Sequence, residues 1–145
     1  MSDFSLRTFR FPEDYAAVYD LWSRAGPGIQ LRQSDQPAEI AKKLQRDPDL
    51  FLVAEADGRI VGAVMGGFDG RRGLIYHLAV DPAYRGRGIG RALMEEVERR
   101  LAAKGCLRAY LLVTADNAEV IAYYRRLGWE PMPVITLGKN LHKAS

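Results

Sequence analysis

A single cysteine, Cys106, rules out an internal disulfide, and the two histidines, His77 and His142, stand far apart. That inventory holds no ligand cluster at metal-binding spacing, so no metal is expected. No apolar stretch approaches the ~18 residues that cross a bilayer, which argues against a membrane role. The opening MSDFSLRTFRFPED has neither an apolar signal core nor a small-residue cleavage site, so the cytoplasm is the expected location. Repeats, low-complexity tracts and linkers are missing too, and one domain over 1–145 is expected. Charge of one sign is also lacking: 21 basic residues face 18 acidic ones, a net charge of +3. That is too mild to imply nucleic acid, and the basic residues are not interleaved with aromatics as a nucleic-acid surface would want. What is present is ordinary for a globular domain, 48% hydrophobic and 27% charged residues in a chain of 145, enough to bury a core. Sixteen of the 21 basic residues are arginine, the side chain that forks onto phosphate and carboxylate.

Periodicity supplies the elements. SLRTF (5–9) alternates as a strand, and Val18, Leu21, Trp22 and Ala25 follow helical spacing after Pro12. A second short helix follows Ser34 or Asp35 as cap and stops at Asp47-Pro48. LFLVAEA and IVGAVMGGFD read as strands joined by a tight turn at Asp57-Gly58-Arg59, and Gly70-Arg71-Arg72-Gly73 turns into the strand LIYHLAV (74–80). Ile89, Leu93, Val97 and Leu101 recur every four residues, an amphipathic helix closed by Lys104-Gly105. A strand over 107–113, a helix through AEVIAYYRRL and two short strands near 129–132 and 134–137 complete the order. The expected class is α/β (α+β): a mixed central sheet of six to seven strands flanked by about four helices.

The segment DPAYRGRGIGRALM (81–94) joins strand to helix with glycine at 86, 88 and 90 and arginine at 85, 87 and 91. Such a turn exposes backbone N–H groups at a helix start, where the dipole also favours an anion. The absence of side chains lets a phosphate come close. A P-loop would need Lys-Ser/Thr after its last glycine, and Gly90 is followed by Arg91-Ala92. A dinucleotide fingerprint would need glycine at position 91 and an acidic residue ending the next strand, which instead ends in Leu112-Val113.

The remaining pattern, Arg85-x-x-Gly88-x-Gly90 after LAVDP, resembles the coenzyme A pyrophosphate loop of the GNAT superfamily of N-acetyltransferases. A second stretch, TADNAEVIAYYRRLGWEP, resembles that family's later signature, and the element order is similar over essentially the whole chain. Length and motif context are similar to small bacterial YpeA-like members. The resemblance implies the GNAT fold and an N-acetyltransferase that uses acetyl-CoA as acyl donor, passing the acetyl group directly to an amine of a small molecule or a peptide. It implies that Leu78, Ala79 and Val80 offer backbone to the pantetheine arm from a strand that splays from its neighbour. The pyrophosphate would lie on Arg85, Gly86, Arg87, Gly88, Ile89, Gly90 and Arg91. Asn117 would contact the coenzyme arm, and Tyr124 would both touch it and protonate the departing thiolate. That last role suits a phenol, which is protonated at neutral pH yet more acidic than water.

The amine side departs from the family pattern. Some members carry a glutamate base in the fourth or fifth strand, but LIYHLAV and LRAYLLV contain no carboxylate. His77 is a candidate base or substrate contact, and Tyr76 a candidate substrate contact or core residue; strand alternation should send them to opposite faces. Glu55 is a further candidate, or a solvated strand carboxylate. The loop 24–37 reads as a lid or a solvated connector, with Arg32 and Asp35 able to meet a charged substrate and Trp22 either walling the site or packing in the core. The rival reading is a non-catalytic coenzyme A-binding module. No nucleic-acid partner is expected, and edge pairing of so small a sheet would allow a homodimer.

Overall fold

A computed structural model describes residues 3–26 and 28–142; Pro27, in the expected lid, lies outside the described residues. The chain divides into two compact units, 1–114 and 115–145.

The first unit holds β1 (Ser5–Thr8), α1 (Tyr15–Arg24), α2 (Pro37–Arg46), β2 (Phe51–Ala56), β3 (Arg59–Phe68), β4 (Gly73–Val80), α3 (Ile89–Ala103) and β5 (Ala109–Leu111). The five strands form one mixed sheet in chain order, antiparallel from β1 to β4 and parallel between β4 and β5. The sheet therefore has five strands among the described residues, fewer than the six to seven expected, and the shortfall lies in the second unit.

β2 and β3 are buried on both faces, so they read as apolar runs instead of alternating. On one face, Phe51, Val53, Ala63, Met65 and Ala79 pack with Val18, Leu21 and Trp22 of α1 and Ile40 of α2. On the other face lies α3, whose Ile89, Leu93, Val97 and Leu101 are buried along the predicted stripe. Its close approach depends on β3: a Cβ at Gly62 would stand 2.9 Å from Ile89 Cγ2, and one at Gly66 would stand 2.8 Å from Val97 Cγ2. The β2–β3 hairpin turns at Asp57 and Gly58, both with positive φ (53° and 73°), as the type I′ geometry of an Asp-Gly turn requires.

Two helix starts differ from expectation. α1 begins at Tyr15, not after Pro12, and its cap position holds Asp14, whose carboxylate is used elsewhere. Arg7 forks onto both its oxygens at 2.7 and 3.0 Å, and Arg10 N–H donates at 2.7 Å. Arg7 also donates to Glu55 at 2.6 Å, so Glu55 is part of a β1–β2 ion cluster. At α2 the cap is Gln36, ahead of Pro37, and neither Ser34 nor Asp35 caps it. Asp35 instead ends a short 3-10 turn at Gln33–Asp35, held by the Tyr15 hydroxyl donating to its backbone carbonyl at 2.7 Å.

The second unit holds α4 (Ala118–Arg126), capped by Asn117 and closed at Gly128, where Trp129 N–H donates to Tyr124 O and Gly128 N–H to Arg125 O, both at 3.0 Å. The two expected final strands do not form; residues 129–142 contain no strand. Pro131 and Pro133 explain this: spaced by two, they strip N–H donors from one edge of any strand built there.

Candidate active site

β4 carries one residue more than its ladder with β3 accommodates. Ala79 faces Ala63 and Tyr76 faces Met65, so two residues of β4, His77 and Leu78, oppose one residue of β3. His77 absorbs the extra length with φ of 55°, an uncommon left-handed conformation for a residue with a side chain. This bulge cancels the strand alternation at that point. Tyr76 and His77, expected on opposite faces, line the same cavity.

On its other edge β4 pairs with β5 only through Gly73, Leu74 and Ile75. From Tyr76 to Val80 that edge has no strand partner among the described residues. Leu78, Ala79 and Val80 therefore lie on a strand edge that can hydrogen-bond an amide-bearing chain laid beside it, as an added strand would.

The open edge leads into the glycine turn. Asp81, 3% exposed, accepts from Ala83 N–H at 2.9 Å and is flanked by Arg24 and Arg59 at 3.3 and 3.2 Å. The Ala83 N–H bond, followed by the arginines, holds its carboxyl below the usual range. A 3-10 turn at Pro82–Tyr84 follows, then Gly86 and Gly88 with φ of 80° and 81°. Gly88 caps α3 with no side chain, and the first helical bond runs from Ala92 N–H to Gly88 O. The N–H groups of Ile89, Gly90 and Arg91 thus belong to the first turn, which has no intrahelical acceptors. A Cβ at Gly86 or Gly88 would meet nothing within 4 Å, so space above the loop is open and the left-handed backbone is what demands glycine. The turn therefore fits a diphosphate on positive φ, free donors and the dipole of α3.

The three arginines of the loop differ in role. Arg85 folds back, donating to Ala25 O at 2.7 Å and Val80 O at 3.3 Å, and so ties the loop to α1 and β4. Arg87 lies over the Tyr84 ring, 4.9 Å from its centroid, and Arg91 pairs loosely with Glu95 at 3.8 Å.

On the α1/α2 face, a cavity of about 210 Å³ opens beside the bulge, lined by Arg32, Asp35, Lys43, Met65, Tyr76 and His77 among others. His77 Nε2 lies 2.9 Å from Asp35 Oδ1 in a largely buried pair, with side chains 18% and 5% exposed. An ionised carboxylate only accepts, so Nε2 is the donor in this contact, and in the neutral ring Nδ1 then holds the lone pair. The other Asp35 oxygen accepts Arg32 N–H at 3.0 Å. Trp22 does not line the cavity. It is 1% exposed, stacks on Phe51 and backs the His77 ring edge-on at 5.0 Å.

Lys43 is the lining residue that sequence reading passed over. It donates to Asp47 at 2.8 Å and to the Gly66 carbonyl, and burial pulls its ammonium below the ordinary range against Asp47. Its one trace in the sequence is the Lys43–Asp47 spacing of four, common on solvated helices. Burial also pushes the Tyr76 phenol up to about 12.

In the second unit, Asn117 Oδ1 accepts Val120 N–H at 3.2 Å, which uses the carbonyl end of its side chain and leaves the amide N–H groups out of the cap. Tyr124 lies in the last turn of α4 beside Tyr123, ring to ring at 5.4 Å, and burial followed by Tyr123 raises its phenol to about 12.

Comparison with known proteins agrees with this architecture. A curated acetyltransferase of Pectobacterium atrosepticum is 48% identical over 136 residues, covering 94% of both chains. Among solved structures, Ard1 from Thermoplasma volcanium superposes with a TM-score of 0.76 at 27% identity, covering 93% of this chain and 85% of its own. The ribosomal-protein-S18-alanine N-acetyltransferase of Escherichia coli superposes with a TM-score of 0.70 at 25% identity, covering 86% and 76%. The model of the Acetyltransferase (GNAT) family matches residues 15–129, a span that takes in the bulged strand, the glycine turn and α4 alike. With the fold, the loop and the relatives in accord, the chain belongs to the GNAT acetyltransferase family and is an acyltransferase enzyme.

Proposed function

We propose that this enzyme transfers the acetyl group of acetyl-CoA directly to a primary amine. The observation that carries the reading is the β4 edge, free of β5 beyond Ile75 and running straight into a glycine turn at the start of α3. The open edge suits the amides of a pantetheine arm and the turn suits a diphosphate. Acetyl-CoA, when bound, supplies an activated thioester carbon.

The remaining chemistry falls to the chain's own residues. An acceptor amine must lose a proton as its nitrogen–carbon bond forms and the carbon–sulfur bond breaks. His77 Nδ1, left as the lone-pair nitrogen by the Asp35 contact at Nε2, takes that proton. Backbone N–H near Val80 polarises the thioester carbonyl. Tyr124, whose phenol stays protonated to about 12, gives its proton to the departing sulfur. The assignment of Tyr124 and Asn117 is supported by the signature they match on α4.

Calorimetric titration with acetyl-CoA, then thiol release across a panel of amines, tests the reading. Binding with amine-dependent release is expected, and Tyr124→Phe should lower turnover by roughly ten-fold or more with coenzyme affinity unchanged. Absence of acetyl-CoA binding would overturn the reading.

A further inference from the structure

The cavity beside the bulge has charges that balance in number but not in pairing, Arg32 and Lys43 against Asp35 and Asp47. Arg32, Lys43, Asp35 and His77 are its ionisable lining groups besides the Tyr76 phenol, and Asp47 stands behind Lys43. Both Asp35 oxygens are already hydrogen-bonded, Oδ1 to His77 and Oδ2 to Arg32 N–H. The cations are less fully used. Arg32 gives one guanidinium N–H to Gln30 at 2.8 Å and has no carboxylate partner among the described residues. Lys43, only 14% exposed, spends two of its three donors on Asp47 and the Gly66 carbonyl. A polycation entering here would meet Arg32, which has no carboxylate partner among the described residues, and carboxylates already engaged by His77 and Lys43. An anion would find a planar fork engaged only by the neutral Gln30 among the described side chains, the geometry that binds carboxylates in pairs of hydrogen bonds, and a desolvated ammonium with a donor left over.

Size narrows the choice further. At about 210 Å³ the cavity is smaller than the roughly 300–1,000 Å³ that holds a drug-sized ligand. It suits a molecule of a few heavy atoms whose amine reaches His77.

Resting on the acetyl-transfer reading, we propose that the acceptor is a small amine that carries a carboxylate, of free amino-acid size, with Arg32 and Lys43 receiving the carboxylate while His77 faces the amine. The shared chemistry also exists at a peptide N-terminus with an acidic side chain, so the test separates the two sources.

Thiol release from acetyl-CoA is measured with free amino acids, the corresponding amino-acid amides, linear polyamines, an aminoglycoside, and short peptides with acidic or neutral first residues. Free amino acids are expected to outperform their amides by roughly ten-fold or more in kcat/KM, the worth of a charge-assisted bond. Arg32→Gln, at an exposed position, should erase most of that preference by raising KM for the acid and not for the amide, with calorimetric acetyl-CoA affinity unchanged. Equal or better use of amides, polyamines or the aminoglycoside overturns the carboxylate class while leaving acetyl transfer standing. Activity confined to acidic peptides overturns the free-amino-acid source. Binding of acetyl-CoA without release by any amine overturns the transfer reading and this inference with it.

Discussion

His77 Nε2 and Asp35 Oδ1 stand 2.9 Å apart across 42 positions of sequence, joining the bulge of β4 to the turn that precedes α2. The contact makes Nε2 the donor toward an ionised carboxylate and aligns a strand residue with a loop residue at the wall of one cavity. If His77 takes the acceptor's proton, His77→Gln should lower kcat by about 10²–10⁴-fold, with acetyl-CoA affinity unchanged by calorimetry. Asp35→Asn should produce a smaller fall in kcat, since Asp35 acts through the ring, and leave coenzyme KM alone. Unchanged kcat in His77→Gln would remove it from the chemistry.

The glycine turn gives a prediction about binding. Gly88→Trp places a bulky side chain in the open space over the loop and forces a residue with Cβ into φ of 81°. Acetyl-CoA affinity should fall by about 100-fold or more, and the strained backbone should cost roughly 1–2 kcal/mol of stability. Gly88→Ala carries the strain with little of the bulk, so it should share the stability loss and keep more of the affinity. Titration calorimetry and thermal melts separate the two effects.

A partly buried phenol makes the fold sensitive to alkali. Tyr76 titrates near 12 in the folded chain against an ordinary 10, because burial disfavours its anion. The folded state therefore holds this proton more tightly than the unfolded one. Its contribution is fully present below pH 10 and is lost as pH rises through 12. Urea midpoints should fall from pH 10 upward, and Tyr76→Phe should make that decline shallower.

At the opposite pH extreme, Arg7 and Asp14 should dominate. The Arg7 fork, more than any other group, holds the Asp14 carboxyl below its ordinary 3.8, so the stabilisation is present above 3.8 and fades as pH falls through the lower folded value. Arg7→Leu leaves Asp14, 9% exposed, without that partner and should cost about 3 kcal/mol at neutral pH. The gap from wild type should narrow below pH 3.8, as read by chemical denaturation.

Much of this was legible in residue order because the signals are local. Asp57-Gly58 encodes its own turn, the four-residue spacing from Ile89 to Leu101 encodes the buried stripe of α3, and three glycines in five positions mark the loop. The failures are non-local. Asp35 looks like a cap until His77, 42 positions later, takes its carboxylate, and Lys43 looks solvated until Gly66 and Asp47 enclose it. Trp22, left between site and core, is placed in the core by Phe51. The alternation rule for Tyr76 and His77 failed because no residue type announces a bulge. The final strands failed for a reason the sequence did display, the pair Pro131 and Pro133.

The bulge makes the active cleft a matter of counting. Between Ala79 and Tyr76 the strand spends three steps where its neighbour spends two, and His77 turns into the cavity on the surplus. Conservative replacement at 77 or 78 alters a side chain, whereas deletion of either would restore an even ladder and remove the surplus residue on which His77 turns into the cavity. Chain length at this point is thus itself a feature of the site, invisible to any comparison that scores identities column by column and allows a gap to pass as harmless.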